Sequence, residues 1–233
     1  MFTLDWSFLS KKVVGNQTYL GWLMTAWETT LTISLFAFII AFFLGFLMGV
    51  FRTTQNKYLV LIGNIWTEIF RNIPVLVQVF LWYFVMPKLF PIFSKLPSFA
   101  LAVIALGLFT SSRISEQVRA GIQSIPTDQR YASLALGLTT YQSYRFVLLP
   151  VAFRLVLPPL TSEAMNIIKN SSVAFAVSIA ELTMYAIQVQ EETARGIEVY
   201  LIATGFVALG FFFNFATADE SFFFNATTAK AKG

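Results

Sequence analysis

The stretch Tyr131-Ala-Ser-Leu-Ala-Leu-Gly-Leu-Thr-Thr-Tyr-Gln-Ser-Tyr-Arg-Phe-Val-Leu-Leu-Pro150 is a polar and basic insert between long apolar segments. Just upstream, Pro126 followed by Thr127-Asp128 reads as a turn and then a helix start. Ala132 to Leu138 is expected to form a short helix. Thr139-Thr140 is expected to begin a second helix that stops before Pro150.

Composition fixes what surrounds the insert. The 233 residues are 57% hydrophobic and 12% charged, with a mean hydropathy of +0.69. A soluble domain carries about 25% charged residues, so this chain cannot cover a globular surface. It reads as a polytopic membrane protein. Cys and His are both absent, which excludes disulfides, thiolate chemistry, His-based metal sites and a His general base. The net charge of +4 fits basic cytoplasmic loops and not nucleic-acid binding. The N-terminus has Asp5, Trp6, Lys11 and Lys12 where a signal peptide needs an apolar core, so the first membrane segment is expected to insert uncleaved.

A spanning helix needs roughly 20 apolar residues. Thr29 to Phe51 has no charge, and Arg52 and Lys57 follow it. A second span runs from about Leu59 to Met86, with Pro87, Pro91 and Pro97 marking its exit. A third starts near Ser98 and continues through Arg113, Glu116 and Arg119. A fourth covers Arg154 to Ile187, with breaks expected at Pro158-Pro159 and at Lys169-Asn170-Ser171-Ser172. The fifth covers Ile197 to Phe215. The expected fold is thus an all-α integral membrane protein with five transmembrane helices and a helical insert, the part that the resemblance described below makes a cytoplasmic coupling helix. With the N-terminus outside, the inner side holds Arg52, Lys57, Arg119, Arg130, Arg145, Arg154, Lys230 and Lys232. The outer side holds fewer cations: Lys11, Lys12, Lys88, Lys95 and Arg195. That bias orients the chain with both the insert and the C-terminus in the cytoplasm.

No Gly-rich phosphate loop followed by Lys-Ser or Lys-Thr is present, so the chain does not hydrolyse ATP itself. No pair of carboxylates suggests hydrolysis either, and the chain reads as a conduit and not an enzyme. Ionisable residues within spans are then the candidate site, because burying them in lipid is costly. Glu68 and Arg71, three apart, form either a structural pair or part of a path. Glu116 is expected to pair with Arg113 or Arg119, and Arg119 to snorkel to the interface. Glu163, Asn166 and Lys169 step by three along one helix face, and Asn170, Ser171 and Ser172 extend that polar surface where the helix is interrupted. They form either a self-satisfied network or a substrate site. Glu181 reads as a solvated helix end, and the Trp and Tyr residues as interfacial anchors.

The insert resembles the coupling loop of ABC-importer permeases, whose pattern is Glu-Ala-Ala, any three, Gly, any nine, Ile, any one, Leu-Pro. Ala132, Gly137, Leu149 and Pro150 match it; Tyr131, Ser133 and Val147 depart from it. Glu68-Ile-Phe-Arg-Asn-Ile-Pro74-Val-Leu-Val-Gln78 and Glu163-Ala-Met-Asn166-Ile-Ile-Lys169-Asn-Ser-Ser172 are similar to two further segments of polar amino-acid importer permeases of type I. The run from Gly107 through Arg113, Glu116 and Arg119 to Pro126 looks like that of glutamate/aspartate importer permeases, as do Val147-Leu-Leu-Pro150 and Leu157-Pro-Pro-Leu-Thr-Ser-Glu163. The resemblance covers about residues 19 to 190.

That resemblance implies a bacterial inner-membrane permease subunit. Its partners are a second, different permease, two ATPase subunits and a periplasmic solute-binding protein. The membrane lipid surrounds it, and no nucleic acid is involved. No cofactor is expected, ATP being bound by the partner ATPase. Residues 1–21 are expected to be an N-terminal periplasmic or interfacial segment. Residues 22–218 are the expected permease domain with its coupling loop at 124–150, and 219–233 a tail. The substrate path falls to Glu163, Asn166, Lys169, Ser172, Arg113, Glu68 and Arg71. Arg113 is the residue expected to favour acidic substrates. ATPase coupling falls to Arg130, Tyr131, Ala132, Gly137, Leu149 and Pro150. Tyr131 in place of Glu removes any salt bridge that Glu makes to the ATPase. The alternatives are a permease for another polar amino acid such as glutamine, a stand-alone channel or secondary carrier, or a purely structural membrane subunit. The Phe-rich run Phe211 to Phe224 departs from the basic tail usual in the family.

Overall fold

The computed structural model describes residues 4–13 and 17–209. Among these the ordered elements are helical. A 3-10 turn at Ser7–Ser10 precedes α1 (Tyr19–Phe51), α2 (Lys57–Asn72), α3 (Val75–Leu89), α4 (Ser98–Gln123), α5 (Thr127–Ala135), α6 (Thr140–Val177), α7 (Leu182–Thr193) and α8 (Gly196–Leu209). Helices α1, α4 and α6 are long and apolar enough to cross a membrane, and α2 with α3 makes a fourth span if that bent pair is counted as one. The fifth expected span starts as α8. Its end, the Phe-rich run and the tail at 219–233 lie outside the described residues.

Prolines set the irregularities. Between α2 and α3, Ile73 is extended, with φ −90° and ψ 125°, because Pro74 disfavours the helical region for the residue before it. The Gln78 side-chain amide donates to the Phe70 and Ile73 carbonyls, at 2.7 and 2.9 Å, and so satisfies acceptors the break would orphan. Wide π turns at Leu81–Val85 and Tyr144–Leu148 each end two residues before a proline, Pro87 and Pro150. Pro150 therefore does not stop a helix as expected; the widened turn lets α6 run through it. Pro158 and Pro159 do not break α6 either. Ala152, Val156 and Leu160, four residues apart, are buried on one side of it and hold it in place. The expected break at Lys169-Asn170-Ser171-Ser172 is present as a tightening to 3-10 geometry over Ser171–Val177.

The chain forms two compact units, one made of Phe36–Gln78 and Val103–Ala164, the other of the remainder. In the first, α1 and α4 pack through small residues. Ala37 and Ala41 are fully buried, and Gly45 and Gly49 continue the four-residue spacing. A Cβ on Gly45 would lie 2.6 Å from the Ser111 carbonyl oxygen and 2.7 Å from Ile114 Cβ. One on Gly49 would lie 2.6 Å from Val118 Cβ. Helices inside a membrane gain no hydrophobic drive against lipid, so close backbone approach through small residues is how they bind each other.

The second unit has its own core of Phe8, Tyr19, Leu23, Ala26, Leu182, Tyr185, Ala186, Val189 and Val199. Glu181 is 1% exposed, not the solvated helix end expected. Its carboxylate caps α7 by accepting from the Thr183 and Met184 amides at 2.9 and 3.0 Å, which satisfies two donors at the helix start. The residues before the first helix are tied down by Asp5, whose carboxylate meets Arg195 at 2.6 Å. The Arg195 guanidinium lies over the ring of Phe8. The Arg195 hydrogen bond, helped by Ser7, holds the Asp5 carboxyl well below its ordinary value of 3.8. A depressed carboxylate contributes stability that is full above the unfolded pKa and lost as pH falls through the folded one. Amide protection over residues 5–10, measured as exchange relative to the free peptide at the same pH, is therefore expected to stay constant from neutral pH down to about 4 and to fall only in stronger acid. Loss of protection already near pH 6 would show that the latch is not this ion pair.

Candidate functional site

Arg113, Glu116 and Gln117 lie at i, i+3 and i+4 on α4 and so share one face. In the first unit that face is the hub of a charge network. Glu116 accepts from Arg52 at 3.0 Å, at the end of α1, and from Arg71 at 2.9 Å, on α2. Arg71 also meets Glu68 at 2.8 Å, and Asn72 donates to the other Glu68 oxygen. One turn away, Arg113 Nε donates to Glu163 of α6 at 3.0 Å, and Gln117 donates to the second Glu163 oxygen at 3.0 Å.

Exposure separates the roles within this network. The Glu163 side chain is 4% exposed and that of Arg52 is 3%, whereas Arg113, Arg71 and Glu68 are 44%, 45% and 51% exposed. A buried carboxylate therefore orients an exposed guanidinium, with Glu163 accepting from Arg113 Nε. Arg52 is clamped further by Asn64 at 2.9 Å and Ser115 at 3.4 Å. Ser115 also bonds Thr67 at 2.9 Å, and Trp66 donates to Ser111 at 3.0 Å. These contacts fix α2 against α4 by polar side chains.

The expected Glu68–Arg71 pair is present. Glu116 does not pair with Arg113 or Arg119; its partners come from α1 and α2, which helix spacing alone cannot show. Arg52, Ser115, Thr67 and Gln117 were missed for the same reason. Asn166 and Lys169 keep their helical spacing from Glu163 along α6, half-buried and exposed respectively, and Ser172 follows half-buried in the 3-10 turn. These three belong to the second unit, while Glu163 turns to α4 in the first.

At the insert, α5 ends in a left-handed cap. Gly137 has φ +85°; its N–H bonds the Leu134 carbonyl, and that of Leu138 bonds the Ser133 carbonyl, the Schellman pattern. Thr139 then opens α6 with a capping box to Gln142. Ser133, a departure from the family pattern, is buried and bonds Ser143 at 2.5 Å, stapling α5 to α6. Tyr144 Oη donates to the Thr53 carbonyl and ties the insert to the end of α1. Ala132 is exposed, as is Pro150, and Leu149 is half-buried. Tyr131, Leu136, Tyr141 and Phe146 are all more than 60% exposed. Arg130 is half-buried and folds over the Tyr144 ring.

A Cβ on Gly137 would meet nothing within 4 Å, so the constraint there is conformational and not steric. Gly137→Val is expected to destabilise the turn by about 1–2 kcal/mol and Gly137→Asn by much less. Limited proteolysis at the insert reads the difference. Equal cleavage of both variants and wild type would show that the left-handed residue does not hold the turn.

The model of the family described as binding-protein-dependent transport system inner membrane component matches residues 41–218. The chain is 40% identical over 215 residues to the glutamate/aspartate import permease protein GltJ of Escherichia coli strain K12, covering 87% of each. It is 36% identical over 186 residues to the probable glutamine ABC transporter permease protein GlnM of Bacillus subtilis strain 168, covering 80% of this chain and 83% of that one. The crystal structure of an amino acid ABC transporter with histidines matches with a TM-score of 0.78 at 26% identity, over 97% of this chain and 100% of the other.

Proposed function

We propose that this chain, which belongs to the family of binding-protein-dependent transport system inner membrane components, is the permease subunit of an ABC importer for the acidic amino acids glutamate and aspartate. It is a transport subunit and not an enzyme, and ATP hydrolysis falls to a partner chain that binds the nucleotide. The observation that carries the substrate class is the 40% identity to a glutamate/aspartate import permease across 87% of both chains. The geometry supports it. Arg113 presents an exposed guanidinium oriented by Glu163, the arrangement that recognises a carboxylate by paired N–H donors. Glu68 and Arg71 supply further polar groups in the same unit, and Asn166, Lys169 and Ser172 are the path residues proposed for the second unit by itself.

The coupling surface is the insert. Tyr131, Ala132, Leu136 and Tyr141 offer an exposed, largely apolar face to the ATPase, with Gly137 shaping the turn and Leu149-Pro150 carrying α6 on from the insert. Loss of the usual Glu at position 131 is offset by aromatic contact area. The assembly pairs this chain with a second, different permease, two ATPases and a periplasmic binding protein, with the N-terminus periplasmic and the C-terminus cytoplasmic. The chain needs no cofactor of its own.

The likeness to the probable glutamine permease favours a second reading, a permease for glutamine, in which Arg113 meets only the α-carboxylate. Affinity purification of the tagged chain from mildly solubilised membranes tests the assembly. An ATPase subunit and a second permease are expected to co-purify, and the lone chain would contradict an ABC importer.

A further inference from the structure

We infer that a cavity at the foot of α5 binds a small oxyanion, a carboxylate or a phosphate. It lies wholly in the first unit, with a volume of about 360 Å³, between the end of α1, the end of α4, the first turn of α5 and Tyr144. That is the size range of small-ligand sites. Arg52 and Arg130 both line it, and no carboxylate does. The Arg52 side chain is 3% exposed and fixed by Glu116, Asn64 and Ser115, so its charge is a rigid part of the wall. Arg130 packs its guanidinium 6.0 Å from the centre of the Tyr144 ring, and its Nη2 is buried with no hydrogen-bond partner.

Helix α5 adds to the same field. It starts after Pro126 with no side-chain cap, so its first amides and the positive end of its dipole are left to the cavity rim, where Thr127 stands. Asp128 is on this turn but is exposed and does not line the cavity. A buried guanidinium nitrogen without a hydrogen-bond partner, beside a second fixed guanidinium and an uncapped helix start, is a setting that an oxyanion satisfies, because charged donors bond anionic oxygens more strongly than neutral ones.

The oxyanion has two sources, a free anion from solution or an acidic side chain of the ATPase docked against α5. The second source rests on the proposed function. The first does not.

Equilibrium dialysis of the assembled transporter in lipid nanodiscs against radiolabelled inorganic phosphate separates them. Saturable phosphate binding, weakened at least tenfold by Arg130→Gln, supports a site for free anions. Absence of phosphate binding, together with an at least tenfold weaker hold of the Arg130→Gln permease on the ATPase, supports the side-chain source. Phosphate bound equally by wild type and variant overturns the proposal, as does absence of phosphate binding with an unchanged hold on the ATPase. Should Arg130→Gln not assemble, Thr127→Val is expected to weaken the same binding several-fold, and unchanged binding there overturns it as well. Failure of any ATPase to co-purify counts against the proposed function and leaves the phosphate result standing.

Discussion

Gly49→Leu prevents folded protein from accumulating, while Gly205→Leu in α8 leaves accumulation unchanged. Even the Cβ of the new side chain would lie 2.6 Å from Val118 Cβ and 2.9 Å from the Ser115 carbonyl oxygen. Neither neighbour can yield without moving α4, because Val118 is 1% exposed and Ser115 fully buried. Forcing extra carbons into a packed core costs about 1–3 kcal/mol, and more when backbone must shift. Moving α4 away from α1 also breaks the Arg52–Glu116 pair and strands a buried charge. Gly205 has open space where its Cβ would sit. Fluorescence-detected size-exclusion chromatography of tagged variants reads both. A monodisperse Gly49→Leu peak at wild-type yield would refute the close approach of α1 to α4.

Arg113→Ala lowers uptake of acidic substrates at limiting concentration by about 10- to 100-fold, the range expected from losing a hydrogen bond to a charged group, about 1.5–3 kcal/mol. The simple variant also removes the Arg113 donor from the buried Glu163 carboxylate, so a folding defect would mimic a transport defect. The double variant Arg113→Gln with Glu163→Gln removes both charges together and keeps the shape, and breaking a pair on both sides is far milder than breaking one side. If Arg113 recognises substrate, the double variant folds but transports no better than Arg113→Ala. If Arg113 only neutralises Glu163, the double variant recovers wild-type uptake. That recovery would remove Arg113 from the path.

What could be read from the sequence was what lies within one helix. The Glu68–Arg71 pair follows from a spacing of three, whereas the helix expected over Ala132 to Leu138 stops at Ala135, because Gly137 takes a left-handed φ of +85°. Contacts between helices were not legible. Glu116 has Arg113 and Arg119 at ideal distance on its own helix, yet its partners are Arg52 and Arg71, because the α4 face that carries it is packed against α1 and α2. Arg52 ends an uncharged run and so reads as a loop cation; only the fold shows it clamped by Glu116. Prolines misled for a related reason. Pro150 and Pro158-Pro159 were expected to end helices, but a π turn absorbs the first and packing of Ala152, Val156 and Leu160 carries α6 through the others. Glu181 could have been found: an acidic residue just before Leu182-Thr183-Met184 is a helix N-cap signature, and a cap can be buried when its own amides satisfy it.

The most direct test of the account is ATP-dependent uptake of labelled aspartate by the reconstituted transporter, with unlabelled glutamate, glutamine and arginine as competitors. An ABC importer for acidic amino acids gives uptake that needs ATP and is suppressed by glutamate but not by glutamine or arginine. Suppression by glutamine or arginine as strong as by glutamate, or uptake that proceeds without ATP, would contradict it.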